Sequence, residues 1–167
     1  RRRALRLDSG NEGRLPAECH GAAGGAVQSG AAMSAELTIV VPTFNERGNL
    51  AELLRRLEAS LGGLAWECVV VDDDSPDGTA DLVREIACRD PRVRCLQRIG
   101  RRGLSSACIE GMLSSSAPYL AVMDADLQHD EALLPAMLER LRRGEADMVV
   151  ASRYLDGSEV RGLDANR

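Results

Sequence analysis

Apolar and polar residues follow two rhythms along this chain, and the switch between them divides it into elements. Leu37–Val41 is a short run of β-favouring apolar residues. Pro42 is expected to close it, because proline cannot donate to a strand ladder. Asn49 stands where a helix cap belongs, and Leu50, Leu53, Leu54, Leu57 and Leu61 follow at the spacing of one helical face, up to Gly62-Gly63. Cys68–Val71 is apolar throughout and predicts a strand buried on both faces. The spacing then predicts a helix over Thr79–Cys88, a strand over Val93–Leu96, a helix over Ser105–Leu113 and a strand over Tyr119–Met123. A helix over Glu131–Arg142 and a fifth strand over Asp147–Ala151 complete the pattern. Strands alternating with helices of this length imply right-handed βαβ crossovers and a mainly parallel sheet flanked by helices, an α/β fold. Ligands of such sheets bind beyond the carboxyl ends of the strands.

Three chemically loaded segments fall at such ends. The first is Pro42-Thr43-Phe44-Asn45-Glu46, which holds the only Phe. That ring could lie beside a purine or simply pack over the helix start. The second is Asp72-Asp73-Asp74-Ser75-Pro76-Asp77-Gly78-Thr79, in which three adjacent carboxylates repel one another after a buried strand. Ser75 to Gly78 reads equally as a turn with Asp77 or Thr79 capping the next helix. Asp73 is the better candidate for chemistry, since a carboxylate at a strand end can accept hydrogen bonds from a ribose or a base edge.

The third segment is Asp124-Ala125-Asp126-Leu127-Gln128-His129. In extended geometry residues i, i+2 and i+4 point the same way, so Asp124, Asp126 and Gln128 could offer three oxygen ligands to one divalent cation. A solvated strand-to-loop turn has the same pattern. His129 invites a zinc reading, but the only other histidine is His20, and an oxygen set fits Mg2+ or Mn2+ better. Gly100-Arg101-Arg102-Gly103-Leu104-Ser105-Ser106-Ala107 could bring helix amides and Arg near phosphate, or be a solvated loop with Ser105 or Ser106 as cap. Arg153, after the fifth predicted strand, is a candidate phosphate clamp. The chain shows no internal repeat and no Gly-x-Gly-x-x-Gly or Walker pattern.

Composition narrows the classes. All 21 basic residues are Arg, so every mechanism that requires a lysine is excluded. The net charge is −5, and because residues 1–32 carry five Arg against three acids, the remainder stands at −7. An acidic body argues against non-specific nucleic-acid binding. Five cysteines without Cys-x-x-Cys spacing are expected to be free or buried thiols in a reducing cytosol. No stretch approaches the roughly 18 apolar residues of a membrane span. Residues 1–33 read as a glycine-rich disordered extension, with Met33 as the expected natural start and residues 34–167 as the domain. Arg1-Arg2-Arg3 lacks the apolar stretch of about 7–15 residues that a secretory signal needs.

Taken in order, Ile39-Val40-Val41-Pro42-Thr43-Phe44-Asn45-Glu46, Val70-Val71-Asp72-Asp73-Asp74-Ser75-Pro76-Asp77-Gly78-Thr79, Asp124-Ala125-Asp126-Leu127-Gln128-His129 and Ser152-Arg153-Tyr154 resemble glycosyltransferase family 2. Within it the resemblance is to the dolichyl- or polyprenyl-phosphate mannosyltransferase group. It implies a glycosyltransferase A-type fold, GDP-mannose as donor and a polyprenyl or dolichyl phosphate acceptor at the cytoplasmic face of a membrane. By matching position, Pro42, Phe44, Glu46, Val71 and Asp73 would hold the guanosine. Asp124, Ala125 and Asp126 would lie along the donor, and Asp124, Asp126 and Gln128 would hold Mg2+ or Mn2+. Arg153 would hold phosphate, and Asp126 and Arg153 would carry the catalysis.

The chain departs from the family pattern in three places. Phe44 stands for a usual Tyr, Asp74 for a frequent Gly, and Ser105 for a common Gly. The implied reaction is an inverting displacement at the anomeric carbon, for which an already ionised phosphate acceptor needs no strong base. The family's domain continues past Ser-Arg-Tyr, so a C-terminally truncated domain with weak donor binding is expected. A receiver domain, with Asp72-Asp73 as acidic pair and Asp124 as phospho-acceptor, is excluded by the missing lysine and by the strand and helix that precede the pair. Glucosyl or aminoarabinosyl transfer to polyprenyl phosphate, and a donor-binding fragment without turnover, stay open as alternatives.

Overall fold

The computed structural model describes residues 34–152. Four strands, β1 (Leu37–Thr43), β2 (Trp66–Asp72), β3 (Val93–Gln97) and β4 (Tyr119–Val122), form one sheet in the order β3-β2-β1-β4, every pair parallel. Helices α1 (Leu50–Leu61), α2 (Thr79–Ala87) and α3 (Leu104–Leu113) make the crossovers. After β4 a 3-10 turn, Glu131–Leu133, leads into α4 (Leu134–Arg142). The chain steps outward from β1 to β3 and then returns across β1 to β4, so the direction of winding reverses between β1 and β4. Such a reversal opens a crevice at the carboxyl edge.

The sequence period dictates the layers. Ile39 and Val41 of β1, with Cys68 and Val70 of β2, face one side and pack with Leu50, Leu53, Leu57 and Leu61 of α1, Val83 of α2 and Leu134 and Leu138 of α4. Val40, Val69 and Val71 face the other side and pack against Ala107 and Met112 of α3. As expected, β2 is buried on both faces. Close packing on the second face depends on Gly111: a Cβ there would stand 2.3 Å from Val40 Cγ1 and 2.9 Å from Val71 Cγ2.

Four expectations differ from the structure. Pro42 lies inside β1, opposite Val71, and the strand runs on to Thr43. Val40 C=O accepts the Met123 N–H, so the even-numbered residues of β1 turn their backbone groups toward β4. The β4 ladder stops at the Val40–Val122 pair, and the donor Pro42 lacks would have faced a side with no partner strand there. Asn49 does not cap α1 with its side chain but donates from Nδ2 to Glu46 Oε2 at 2.7 Å. Residues 147–151 form no strand, and Met148 and Val150 are 77% and 70% exposed. A short apolar run becomes a strand only where a neighbour supplies ladder bonds, and among the described residues the outer edge of β4 is unpaired. Finally, Cys68, Cys95 and Cys108 are free thiols, whereas Cys88 is disulfide-bonded, against the expectation for all five.

Candidate functional site

The turns that follow β1 and β2 are laced into one another. Asn45 N–H donates to Ser75 Oγ at 2.9 Å, Glu46 N–H to Thr79 Oγ1 at 3.2 Å, and Arg47 N–H to Asp77 Oδ2 at 3.1 Å. Arg47 Nη1 also donates to Gly78 C=O at 2.7 Å. Asp77 Oδ1 in turn receives Thr79 N–H and Oγ1–H. Burial pulls the Asp77 carboxyl upward, but these bonds from Thr79 and Arg47 outweigh it and hold the group below the usual carboxylate range. Ser75 to Gly78 is therefore the structural turn that the sequence allowed, and its role is to fix the loop that carries Phe44 and Glu46.

The three adjacent aspartates escape mutual repulsion by pointing to different partners. Asp72 is fully buried and accepts from Thr43 Oγ1 at 3.2 Å, Ser75 N–H at 3.0 Å and Ser75 Oγ–H at 2.5 Å. Asp74 has φ +59° and accepts from Gln97 Nε2 at 2.8 Å. Its left-handed backbone is the conformation that glycine adopts without cost. Asp73, 7% exposed, accepts Gly103 N–H at Oδ2, 2.7 Å away, and its Oδ1 lies 3.3 Å from Arg98 Nη1.

Arg98 is the residue that sequence reasoning missed. It follows β3, is 2% exposed, and donates from Nη1 to Gly103 C=O at 3.1 Å and from Nη2 to Ser106 Oγ at 2.7 Å. Its backbone N–H reaches Asp72 C=O at 2.8 Å. A charge placed directly after a strand, at the same edge as Asp73, was the available signal. Ser106 thus serves Arg98 rather than capping α3, whose first turn starts from Gly103 at φ +140°. Asp73 Oδ1 and Arg98 Nε are both buried without a hydrogen-bond partner. Each is instead set against an opposite charge, Asp73 Oδ1 against Arg98 Nη1 and Arg98 Nε against Glu110 Oε1 at 3.5 Å, so both atoms are ion-paired.

Phe44 is 42% exposed, and the Arg102 guanidinium carbon lies 4.2 Å from its ring centroid. Pro42 and Glu46 are half-buried, and Glu46 Oε2 is occupied by Asn49. The Val71 side chain is fully buried on the α3 face, so a ligand could reach only its backbone, where the carbonyl already accepts from Thr43 Oγ1 at 3.4 Å.

Beyond β4, Met123 and Ala125 turn inward while Asp124, Asp126 and Gln128 are exposed. The expected alternation is present, but not the extended strand meant to produce it. The ladder stops at Val122, Leu127 has φ +61°, and Gln128 N–H donates to Asp126 Oδ1 at 3.1 Å. A turn, not a pleat, brings Asp126 and Gln128 together. His129 Nδ1 accepts Asp124 N–H at 3.2 Å, which braces the loop. Burial pushes the Cys108 thiol of α3 up, the Asp124 charge pushes the same way, and the Arg98 charge opposes both.

No cluster of three His, Cys, Asp or Glu able to hold a metal occurs among the described residues. A cation here would have two carboxylates and an amide oxygen, with the rest of its shell from a ligand or water. The Asp124 carboxylate receives no hydrogen bond within the described residues, and these hard oxygens fit Mg2+ or Mn2+. Arg153 and Tyr154 lie outside the described residues. An open hollow of about 350 Å³, lined by Pro118, Tyr119, Leu120, Leu141, Ala146 and Asp147, lies at the opposite end of β4 and is unrelated to these loops.

Known proteins resemble this chain in sequence and in fold. Residues 38–165 match the model of glycosyl transferase family 2. The chain is 42% identical over 125 residues to a dolichol-phosphate mannosyltransferase of Pyrococcus furiosus, covering 75% of this chain and 35% of that protein. It is 35% identical over 128 residues to a dolichol-phosphate mannosyltransferase of Saccharomyces cerevisiae, covering 75% and 47%. The chain thus spans between a third and a half of these relatives' length. Among solved structures, a mannosyltransferase from Pyrobaculum calidifontis in complex with GDP-Man and Mn2+ superposes with a TM-score of 0.56 at 27% identity, over 65% of this chain and 32% of that one. TarS of S. aureus, at 24% identity and a TM-score of 0.55 over 65% and 33%, shares the fold. The architecture is that of an A-type glycosyltransferase, and by sequence the chain belongs to glycosyl transferase family 2.

Proposed function

We propose that this chain provides the donor site of a metal-dependent, inverting glycosyltransferase that moves mannose from GDP-mannose to a polyprenyl or dolichyl phosphate at the cytoplasmic face of a membrane. The observation that carries the reading is the 42% identity to a dolichol-phosphate mannosyltransferase, and the convergence of the loaded loops on one sheet edge supports it. Phe44 offers a ring face to the base, and Asp73 a carboxylate to its donor edge. Pro42, Glu46 and the Val71 backbone shape the loop around the nucleoside. Ala125, buried beneath the exposed acids, fixes how Asp124 and Asp126 project.

Asp124, Asp126 and Gln128 would hold Mg2+ or Mn2+, which when bound neutralises charge on the departing diphosphate. An acceptor phosphate oxygen attacks the anomeric carbon from the face opposite the diphosphate. The new C–O bond forms as the old one breaks, its electron pair leaves with GDP, and the configuration inverts. The acceptor is already an anion, so no side chain need take a proton, and alignment supplies the catalysis together with electrostatics. Arg153 is the proposed phosphate clamp.

The test is transfer of labelled mannose from GDP-mannose into polyprenyl phosphate in detergent, set beside labelled glucose from UDP-glucose. Mannose transfer abolished in Asp126→Ala supports the reading, and glucose transfer alone would replace it with the glucosyl alternative. Donor binding without any transfer would reduce the chain to a donor-binding unit.

A further inference from the structure

We infer that Arg102 is a further binding residue of the donor site, the outer plate of a base clamp whose inner plate is Phe44; this rests on the proposed role of Phe44 as the ring face for the base. Phe44 follows β1, and Arg102 lies between β3 and α3, so both stand at the carboxyl edge of the sheet. Because β2 lies between β1 and β3, their contact spans the end of β2. The guanidinium carbon is 4.2 Å from the ring centroid, and both side chains are exposed. Phe44 is the only Phe of the chain, and it stays 42% exposed at this edge instead of filling the core. The neighbours of Arg102 are anchored. Arg101 donates from both Nη atoms to Glu110 at 2.8 and 2.9 Å, and Gly103 is held through its N–H by Asp73 and through its C=O by Arg98. Arg102 itself, among the described residues, has no hydrogen bond and no ion pair, only the ring.

An exposed cation–π contact is weak, and ordering a long side chain offsets part of it, so the pair opens at little cost. A planar base between the two plates needs them about 7 Å apart, two stacking distances of about 3.5 Å each. The side chain of Arg102 has no other bond to break, and its anchored neighbours keep its backbone in place, so it alone swings to admit the base. Once seated, the base stacks on Phe44 with one face and meets the guanidinium with the other. Desolvation of the guanidinium there strengthens the cation–π contact. Every base has a π face, so the clamp supplies affinity more than choice between bases. An arginine that merely plugged the ring would compete with the base, and its removal would tighten binding. The two roles predict opposite signs.

The experiment is calorimetric titration of the full chain, Phe44→Ala, Arg102→Ala and Arg102→Lys with GDP in Mn2+, with guanosine measured as a competitor of GDP. Both side chains are exposed, so every variant is expected to keep the wild-type far-UV circular dichroism. Arg102→Ala is expected to lose about fivefold in GDP affinity, and guanosine, which has no phosphate, is expected to lose the same factor. Arg102→Lys, which keeps the charge but not the planar face, is expected to fall between. Phe44→Ala is expected to lose about tenfold, and the double variant less than the product of the two. Tighter or unchanged GDP binding in Arg102→Ala, with Phe44→Ala impaired, would overturn the inference alone. A loss confined to GDP would also overturn it, since it would mark a phosphate contact. Undiminished GDP affinity in Phe44→Ala, or a wild-type chain that binds no GDP, would instead overturn the base-stacking reading, and this inference with it.

Discussion

Asp72, Asp73 and Asp74 show how far single residues can be read from sequence. Three adjacent carboxylates announced that something must compensate them, but not that each would find a different partner. Asp72 is a fully buried anchor between the ends of β1 and β2. Replacing it by Ala removes the acceptor of both Ser75 donors and leaves Thr43 Oγ1 only its 3.4 Å contact to Val71 C=O, and is expected to lower unfolding free energy by about 3 kcal/mol in urea titration. Arg98 was invisible because it is one Arg among 21 basic residues and its partners, Asp73 and Ser106, are set by the crossing of β2, β3 and α3. Thiol chemistry gives an independent check of burial. Burial pushes the Cys68 thiol up to about 12, so a water-soluble disulfide reagent at about pH 8 is expected to leave it unmodified in the folded chain and to modify it after unfolding. Rapid labelling of native Cys68 would contradict the packing of β2 against α1.

At the scale of elements, strands and helices were legible wherever the local pattern was strong. β2 was visible as an unbroken apolar run, and α1 as a leucine face. The Asp147–Ala151 run failed because a strand needs a neighbour, which is a non-local condition, and Pro42 was misplaced because its tolerance depends on where β4 ends. Gly111 is the sharpest element-level test. Gly111→Ala is expected to push α3 off the sheet, lowering stability by about 1–3 kcal/mol and the melting temperature with it, despite alanine's better helix propensity.

Glu67 of β2 offers a pH test of how the sheet is fastened. Burial pulls its carboxyl up, but hydrogen bonds from Arg94 and Thr38 and the Arg94 charge outweigh burial and hold it below the usual value. A folded value below the unfolded one means stability that is present above the unfolded value and lost as pH falls through the folded one. Wild type is therefore expected to lose more stability than Glu67→Gln on acidification from about pH 6 to about pH 3. Equal acid sensitivity of the two would show that the Glu67–Arg94 contact does not fasten β2 to β3.

For the molecule as a whole, the sheet order and the reversal between β1 and β4 bring distant loops to one edge. The sequence showed that each loop follows a strand. It did not show which strands are neighbours, so the coupling of Asp73 to Gly103 emerged only in three dimensions. The loop holding Asp124, Asp126 and Gln128 carries the proposed metal dependence, and Asp126→Ala is expected to remove it while leaving the fold intact, since Asp126 is exposed. The most direct measurement is calorimetric titration with GDP-mannose and UDP-glucose, each with and without Mn2+, on wild type and Asp126→Ala. The predicted result is Mn2+-dependent binding of GDP-mannose, weaker binding of UDP-glucose, and loss of the metal dependence in the variant. Binding of GDP-mannose that ignores Mn2+ and Asp126, or no binding of either donor, would contradict the assignment of these loops as a metal-assisted mannosyl-donor site.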